Sequence, residues 1–502
     1  MMNSSFTRRA FLGASLATAT TAALASCAQS ASPAAKPIDR ILPTDRLVSQ
    51  YEEARPSTGT TVTQKLSAGI FDTTVAGVAL STWGYNGAIN GPIIRAKIGD
   101  TLNVPVANSL AESTSVHWHG LALRNDADGV PGVTQPAIPA GGSFDYQFRL
   151  NQPGTYWYHS HVDMQRERGL SGALIIEDPR EPLLYDQEWV ILLDDWLDGI
   201  TGTPDDAFEE LSMGMDMSGM DMPMTHMLMG ATSTYLGGDA GDVRIPAHLF
   251  NGRAAQDAEV FQSKPGNRIR LRIINAAGDT AYRVGVPGQK ITLTHTDGFP
   301  VQHEDVDAVV LGMGERIDAI LTVQDGYTPL LAIPEGKDGR AYGLISTGSG
   351  TAPDVGALPS TLDGQVTDGG RLTADESVLL TAKAPDRIHT VRLTGSMGKY
   401  DWSINGRRFD MKKPSAGAFD ISLDERVQVK MVNDTTMWHP MHLHGHSFQL
   451  ANNGARKDTV IVRPKETVTF EFDADNPGQW IAHCHNAYHA ERGMIGLFSY
   501  VR

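Results

Sequence analysis

Cysteine is almost missing from this sequence of 502 residues: it has two, Cys27 and Cys484. A disulfide framework is thereby excluded, since two cysteines permit one bridge at most. Basic charge is also scarce, with 42 lysines and arginines against 58 acids and a formal net charge of −16. Such a surface repels nucleic acid and draws cations, so no nucleic-acid partner is expected. No apolar run approaches the roughly 20 residues that a membrane-spanning helix needs.

Each cysteine sits in a motif that needs one. Thr7-Arg8-Arg9-Ala10-Phe11-Leu12 pairs two arginines with an apolar step, and a run of uncharged, mostly small residues then leads to Leu24-Ala25-Ser26-Cys27. Residues 1–27 have the pattern of a twin-arginine export signal, ending in a cysteine placed as in a bacterial lipobox. The expectation is an acylated Cys27 as the first mature residue. The protein would then be exported and anchored to a membrane, in the periplasm or at the cell surface, by a tether of residues 28–55 rich in Pro, Ala, Ser and charge.

The chain also repeats itself. Ile89-Asn90-Gly91, Phe250-Asn251-Gly252 and Ile404-Asn405-Gly406 recur at spacings of 161 and 154 residues. Each precedes a turn and an alternating apolar strand, as in Ile98-Gly99-Asp100-Thr101-Leu102-Asn103-Val104. Alternation of period two with Asn-Gly and Pro-Gly punctuation reads as antiparallel β-sandwich. The expected fold is all-β, with three consecutive Greek-key β-sandwich domains at residues 56–180, 181–348 and 373–502 and a linker at 349–372.

The first and third units carry histidine pairs, and the second carries none. His117-Trp118-His119 and His159-Ser160-His161 stand in the first, His442-Leu443-His444 and His483-Cys484-His485 in the third. In a strand, residues i and i+2 share a face. Each pair therefore presents two imidazoles side by side, and four pairs facing one another supply eight nitrogens, a set suited to three copper ions between domains. The same alternation turns Cys484 to the other face. There His439, His489 and a weak axial Met494 complete the His₂Cys-plus-Met set of an electron-transfer copper. Zinc also accepts Cys and His, but it leaves the methionine and the eight clustered imidazoles unexplained. His226, His248, His295, His303, His389 and His446 belong to no repeated pair and are read as ordinary or supporting histidines.

With His117-Trp118-His119-Gly120, Tyr156-Trp157-Tyr158-His159-Ser160-His161, His439-Pro440-Met441-His442-Leu443-His444-Gly445-His446 and the run from His483 to Met494 in order, the chain resembles the multicopper oxidases. That family of three cupredoxin-like domains includes laccases and bacterial copper-efflux oxidases. The resemblance implies four copper ions: a type 1 ion on His439, Cys484, His489 and Met494, and a type 2 ion on His117 and His442. The type 3 pair would use His119, His159 and His485 on one ion and His161, His444 and His483 on the other. It further implies that electrons pass singly through Cys484 to the cluster, where O₂ becomes two waters. Protons need an acid, and Asp128, in Asp128-Gly129-Val130-Pro131-Gly132, matches the family's position. A second acid matches less well: Ala490 follows His489, and the glutamate, Glu491, comes one step later.

Residues 212–230 contain eight methionines: Met213, Met215, Met217, Met220, Met222, Met224, Met227 and Met229. Glycine, proline and aspartate interrupt them too often for a core helix. Thioethers favour soft Cu(I), so the segment is read as a Cu(I)-collecting loop, with a lid of adaptable apolar contacts as the alternative. The expected donors are Cu(I) and/or phenols, with O₂ as acceptor. A copper-sequestering lipoprotein without catalysis would account for the methionines but has no use for a thiolate joined to a histidine cluster.

Overall fold

Period-two alternation in the sequence becomes paired sheets. The computed structural model describes residues 38–215 and 224–502; the export signal, Cys27, Met217, Met220 and Met222 lie outside the described residues. Among those described, six large sheets form three successive pairs. A five- and a four-stranded sheet span 61–177, a seven- and a six-stranded sheet span 187–368, and a six- and a five-stranded sheet span 387–500. These are three cupredoxin-like sandwiches. Thr101–Asn108 shows how they are built: Leu102, Val104 and Val106 are buried while the residues between them face outward.

Each sandwich contains an equivalent parallel pairing: Leu66–Val75 with Thr101–Asn108, Gln187–Trp196 with Arg268–Asn275, and Arg387–Thr394 with Arg426–Asn433. All three second strands end on a buried asparagine, Asn108, Asn275 or Asn433. Its side-chain oxygen accepts from the backbone N–H two residues on, at Leu110, Ala277 or Thr435, and its amide donates to a distant carbonyl, of Ile138, Leu311 or Val462. Left unpaired, each buried group would cost about 1–3 kcal/mol.

The first strands are pinned by a second repeat. Ser67, Leu192 and Arg392 donate their backbone N–H to the side-chain oxygens of Asn86, Asn251 and Asn405. Each of these asparagines is left-handed, with φ of 57°, 52° and 53°, and precedes a left-handed glycine. In the first unit the structural counterpart is therefore Asn86-Gly87, rather than the Asn90-Gly91 that the spacing suggested. Asn90 instead pairs with Ser171 in a parallel bridge.

Two stretches whose composition reads as connecting chain are built into sheets or packed on them. Within 28–55, Arg46–Ala54 is a helix N-capped by Asp45, and Arg149 caps its far end by donating to the carbonyls of Glu52, Glu53 and Arg55. Within 349–372, Val366–Asp368 pairs in parallel with Ala308–Leu311. Gln187–Trp196 departs from alternation because both its faces are covered. Ile191 and Leu193 enter the second unit's core, whereas Val190 and Leu192 pack with Trp157, Ala173 and Ile175 of the first.

Candidate metal centre

Strand register brings the histidine pairs together. His117 lies opposite His159 in the first unit, and His442 opposite His483 in the third. The two units then meet ring on ring: His117 stacks on His444 and His119 on His442, each with centroids 3.8 Å apart. A carboxylate residue serves each stack. Asp128 accepts from His444 Nδ1 through Oδ2 at 3.0 Å and from His117 Nδ1 through its carbonyl at 2.7 Å. Asp458 accepts from His119 Nε2 through Oδ1 at 3.1 Å and from His442 Nδ1 through its carbonyl at 2.9 Å.

These bonds fix which ring nitrogen each of the four stacked histidines leaves free. His117 Nε2, His119 Nδ1, His159 Nε2, His161 Nε2 and His442 Nε2 are buried without a hydrogen-bond partner, an arrangement that is costly unless something else binds them. The ligating atoms of His117, His119 and His159, of His117, His442 and His444, and of His161, His444 and His483 each lie within 4.8 Å of one another. Burial pushes His119, His159, His161, His444, His483 and His485 well below the usual histidine range. Neutral imidazole is the form that binds metal, and the donor set fits a copper cluster. His485 departs from the pattern. Its ring lies 4.8 Å from that of His119, but a guanidinium nitrogen of Arg166 sits 3.1 Å from its Nδ1 and 3.3 Å from its Nε2.

On the other face of the same strand, Cys484 Sγ lies 3.6 Å from both His439 Nδ1 and His489 Nδ1, which are 3.1 Å apart. All three are buried, as is Met494, whose carbonyl accepts from Cys484 N–H at 3.1 Å. This triangle suits a thiolate and two imidazoles around one soft-ligated ion. Thr435 Oγ1 and Asp242 Oδ2 engage the outer nitrogens of His439 and His489 at 2.9 and 2.8 Å. Burial alone would lower His489, but Asp242, with the Cys484 sulfur beside it, raises it to about 10. The sequence reading missed Asp242, which comes from the unit without histidine pairs and sits in no motif.

A crevice of about 30 Å³ is bordered by His159, His161, His483, Ala487, Ala490 and Glu491, room for a water or two. Glu491 is exposed at this crevice. Asp128, by contrast, is wholly buried against the cluster. Glu167 also lines the crevice, and burial lifts its carboxyl group to about 7 despite the adjacent Arg166; no sequence signal marks it.

The methionines of 212–230 are not equivalent. Met213, Met215, Met224 and Met229 are exposed, whereas Met227 is buried in the core that also holds Cys484 and Met494. Met227 departs from the collecting role read for the whole segment. Its N–H, with those of Thr225 and His226, donates to the Glu210 carboxylate, fastening the returning chain to the helix Pro204–Ser212.

Comparison with known proteins gives this geometry its family. Multicopper oxidase family profiles match residues 72–181, 187–338 and 383–501. The chain is 43% identical to multicopper oxidase MmcO of Mycobacterium tuberculosis, over 99% of this chain and 97% of that one. It is 27% identical to copper resistance protein A of Escherichia coli, over 88% and 94%. Its fold superposes on a variant of the laccase from B. aclada with a TM-score of 0.73 and 25% identity, over 89% of each chain. Three matched domains and a near full-length relative make the protein a member of the multicopper oxidase family, a copper-dependent oxidoreductase.

Proposed function

We propose that the protein couples one-electron oxidation of Cu(I), with phenols as alternative donors, to four-electron reduction of O₂ to water, and that it serves copper tolerance outside the cytoplasm. In this reading His439, Cys484, His489 and Met494 hold the type 1 ion and His117 and His442 the type 2 ion. His119, His159 and His485 hold one type 3 ion and His161, His444 and His483 the other, four copper ions in all. Bound copper supplies the one-electron redox steps and the site where O₂ is reduced. The observation that carries the reading is the Cys484 strand: its thiol faces His439 and His489, while the adjacent His483 and His485 face the cluster. Two covalently consecutive residues thus join the donor side to the oxygen side.

The chain's own residues divide the remaining work. Asp242 aims His489, and Asp128 lies close enough to two cluster histidines to hold a proton beside them. Glu491 stands where protons enter the crevice. The exposed Met213, Met215, Met224 and Met229 offer soft thioethers to Cu(I), a donor in keeping with the name of the copper resistance relative. Phenols stay as a second donor class because of the likeness to a laccase. Anchoring through acylated Cys27 belongs to the same reading and rests on the sequence alone.

Steady-state kinetics of the copper-loaded protein with Cu(I) and with a dimethoxyphenol test the donor. A higher kcat/KM for Cu(I) supports the proposal, and a preference for the phenol would make the protein a laccase in function.

A further inference from the structure

The unit without histidine pairs places a buried guanidinium beside the residues that support the cluster. Arg316, which opens the strand Arg316–Thr322, has no solvent exposure and grips Asp458 of the third unit with two prongs, Nη1 to Oδ1 at 2.7 Å and Nη2 to Oδ2 at 2.6 Å. Asp458 in turn touches histidines of both other units. Its Oδ1 accepts from His119 Nε2 at 3.1 Å and lies 3.3 Å from His442 Nδ1. Thr459 Oγ1 stands 3.1 Å from each of the same two ring nitrogens and donates to Asp458 Oδ1 at 2.9 Å. With those nitrogens acting as donors, His119 is left to offer Nδ1 and His442 to offer Nε2, and these are the atoms without a partner. One aspartate therefore selects opposite ring nitrogens on two stacked histidines.

The surroundings hold Arg316 to that task. Its Nε donates to the Thr155 carbonyl and its Nη1 to the Gly314 carbonyl, both at 3.1 Å, and Asp297 Oδ1 lies 3.5 Å from Nη1. Two glycines clear the space. A Cβ on Gly120 (φ 89°) would lie 2.5 Å from Arg316 Nη2 and 2.6 Å from Asp458 Oδ2, and one on Gly314 (φ 86°) would press on the rings of His485 and His119 at 2.9 and 3.0 Å. Lysine brings a single nitrogen and cannot match the planar two-point grip.

We propose that Arg316 is a positioning residue of the oxygen-reducing cluster, holding Asp458 at the angle that sets the tautomers of His119 and His442. The inference rests on the assignment of those two histidines as copper ligands. It gives the second unit a share in the chemistry without a ligand of its own. Partners of this kind, one step removed from a metal, typically alter affinity or activity by roughly 10–100-fold.

The test compares full-length, copper-loaded wild type with Arg316→Met, Arg316→Lys and Asp458→Asn. Copper per chain, resistance to a chelator, the blue absorption and the type 2 electron paramagnetic resonance signal are read on each. Arg316→Met should keep the blue absorption, lose cluster copper roughly 10–100-fold more readily and change the type 2 signal, while Arg316→Lys recovers part of the loss. Asp458→Asn keeps the shape of the residue and should give the same signature, which covers failure of Arg316→Met to fold. Unchanged copper retention and an unchanged type 2 signal in the folded variants would overturn the proposal. Wild type that takes up blue copper alone would sink the ligand assignment, and this inference with it, before any substitution is made.

Discussion

Asp242 Oδ2 accepts a hydrogen bond from His489 Nε2 at 2.8 Å, with neither residue open to solvent. Tyr400 donates its hydroxyl to the same oxygen at 3.0 Å, and the Asp242 carbonyl accepts from Leu228 N–H at 2.7 Å. The carboxylate that orients His489, a type 1 ligand in the proposed reading, thus lies on the strip of chain that fastens the end of the methionine-rich segment.

Asp242→Ala should therefore weaken donor oxidation while sparing the thiolate site. We expect the blue absorption to persist and kcat/KM for Cu(I) to fall roughly 10–100-fold. Stopped-flow reduction of the blue band by Cu(I) measures this; an unchanged rate would remove Asp242 from the electron route.

Cys484→Ser should abolish the blue charge-transfer band and multiple turnover, because a hydroxyl cannot replace the soft thiolate. The type 2 resonance signal should survive, since its ligands lie on other residues. A variant that stays blue contradicts the placement of the type 1 ion.

The exposed methionines can be tested without touching the core. Replacing Met213, Met215, Met224 and Met229 by leucine keeps apolar bulk and removes four thioethers. Lower kcat/KM for Cu(I) with little change for a phenol would support collection of Cu(I). Equal slowing of both donors would point to damage, and no change for Cu(I) would leave the lid as the better account. Met227→Leu, in the core, should mainly alter stability.

The histidine pairs were legible because strand geometry forces i and i+2 onto one face, so His117 with His119 and His483 with His485 announce themselves as neighbours. The supporting residues were not. Asp458 sits in an ordinary Lys457-Asp458-Thr459, and only the meeting of three units shows that it serves His119 and His442. Arg316 and Asp242 act across unit boundaries, which local sequence does not record. The repeat was visible, but its register in the first unit was not: Asn86-Gly87 and Asn90-Gly91 carry the same signal, and the choice depends on Ser67 pairing with Asn86. Composition likewise hid the helix Arg46–Ala54, whose far end is capped by Arg149 of a distant strand.

A second buried ion network, between the first two units, sets an acid limit on stability. Asp318 accepts from Thr155 Oγ1, Arg270 and Arg272. Burial opposes its ionisation, yet Arg270 and Arg272 draw its carboxyl group down to about 2. A folded-state value below the unfolded one means that the contribution is fully present above about pH 4 and is lost as pH falls through about 2. Asp318→Asn should cost roughly 3–5 kcal/mol at neutral pH by leaving buried guanidinium charge uncompensated. Denaturant titrations at neutral and acid pH check both statements: the gap between wild type and variant should narrow toward pH 2.

The central claim is that electrons from the donor side reach a cluster that takes O₂ fully to water. Copper-loaded protein mixed with excess Cu(I), with oxygen uptake, Cu(I) loss and peroxide followed together, tests it most directly. The account predicts four Cu(I) oxidised for each O₂ consumed and no peroxide. Two Cu(I) per O₂ with matching peroxide would contradict it, since oxygen would then be leaving after only half its electrons.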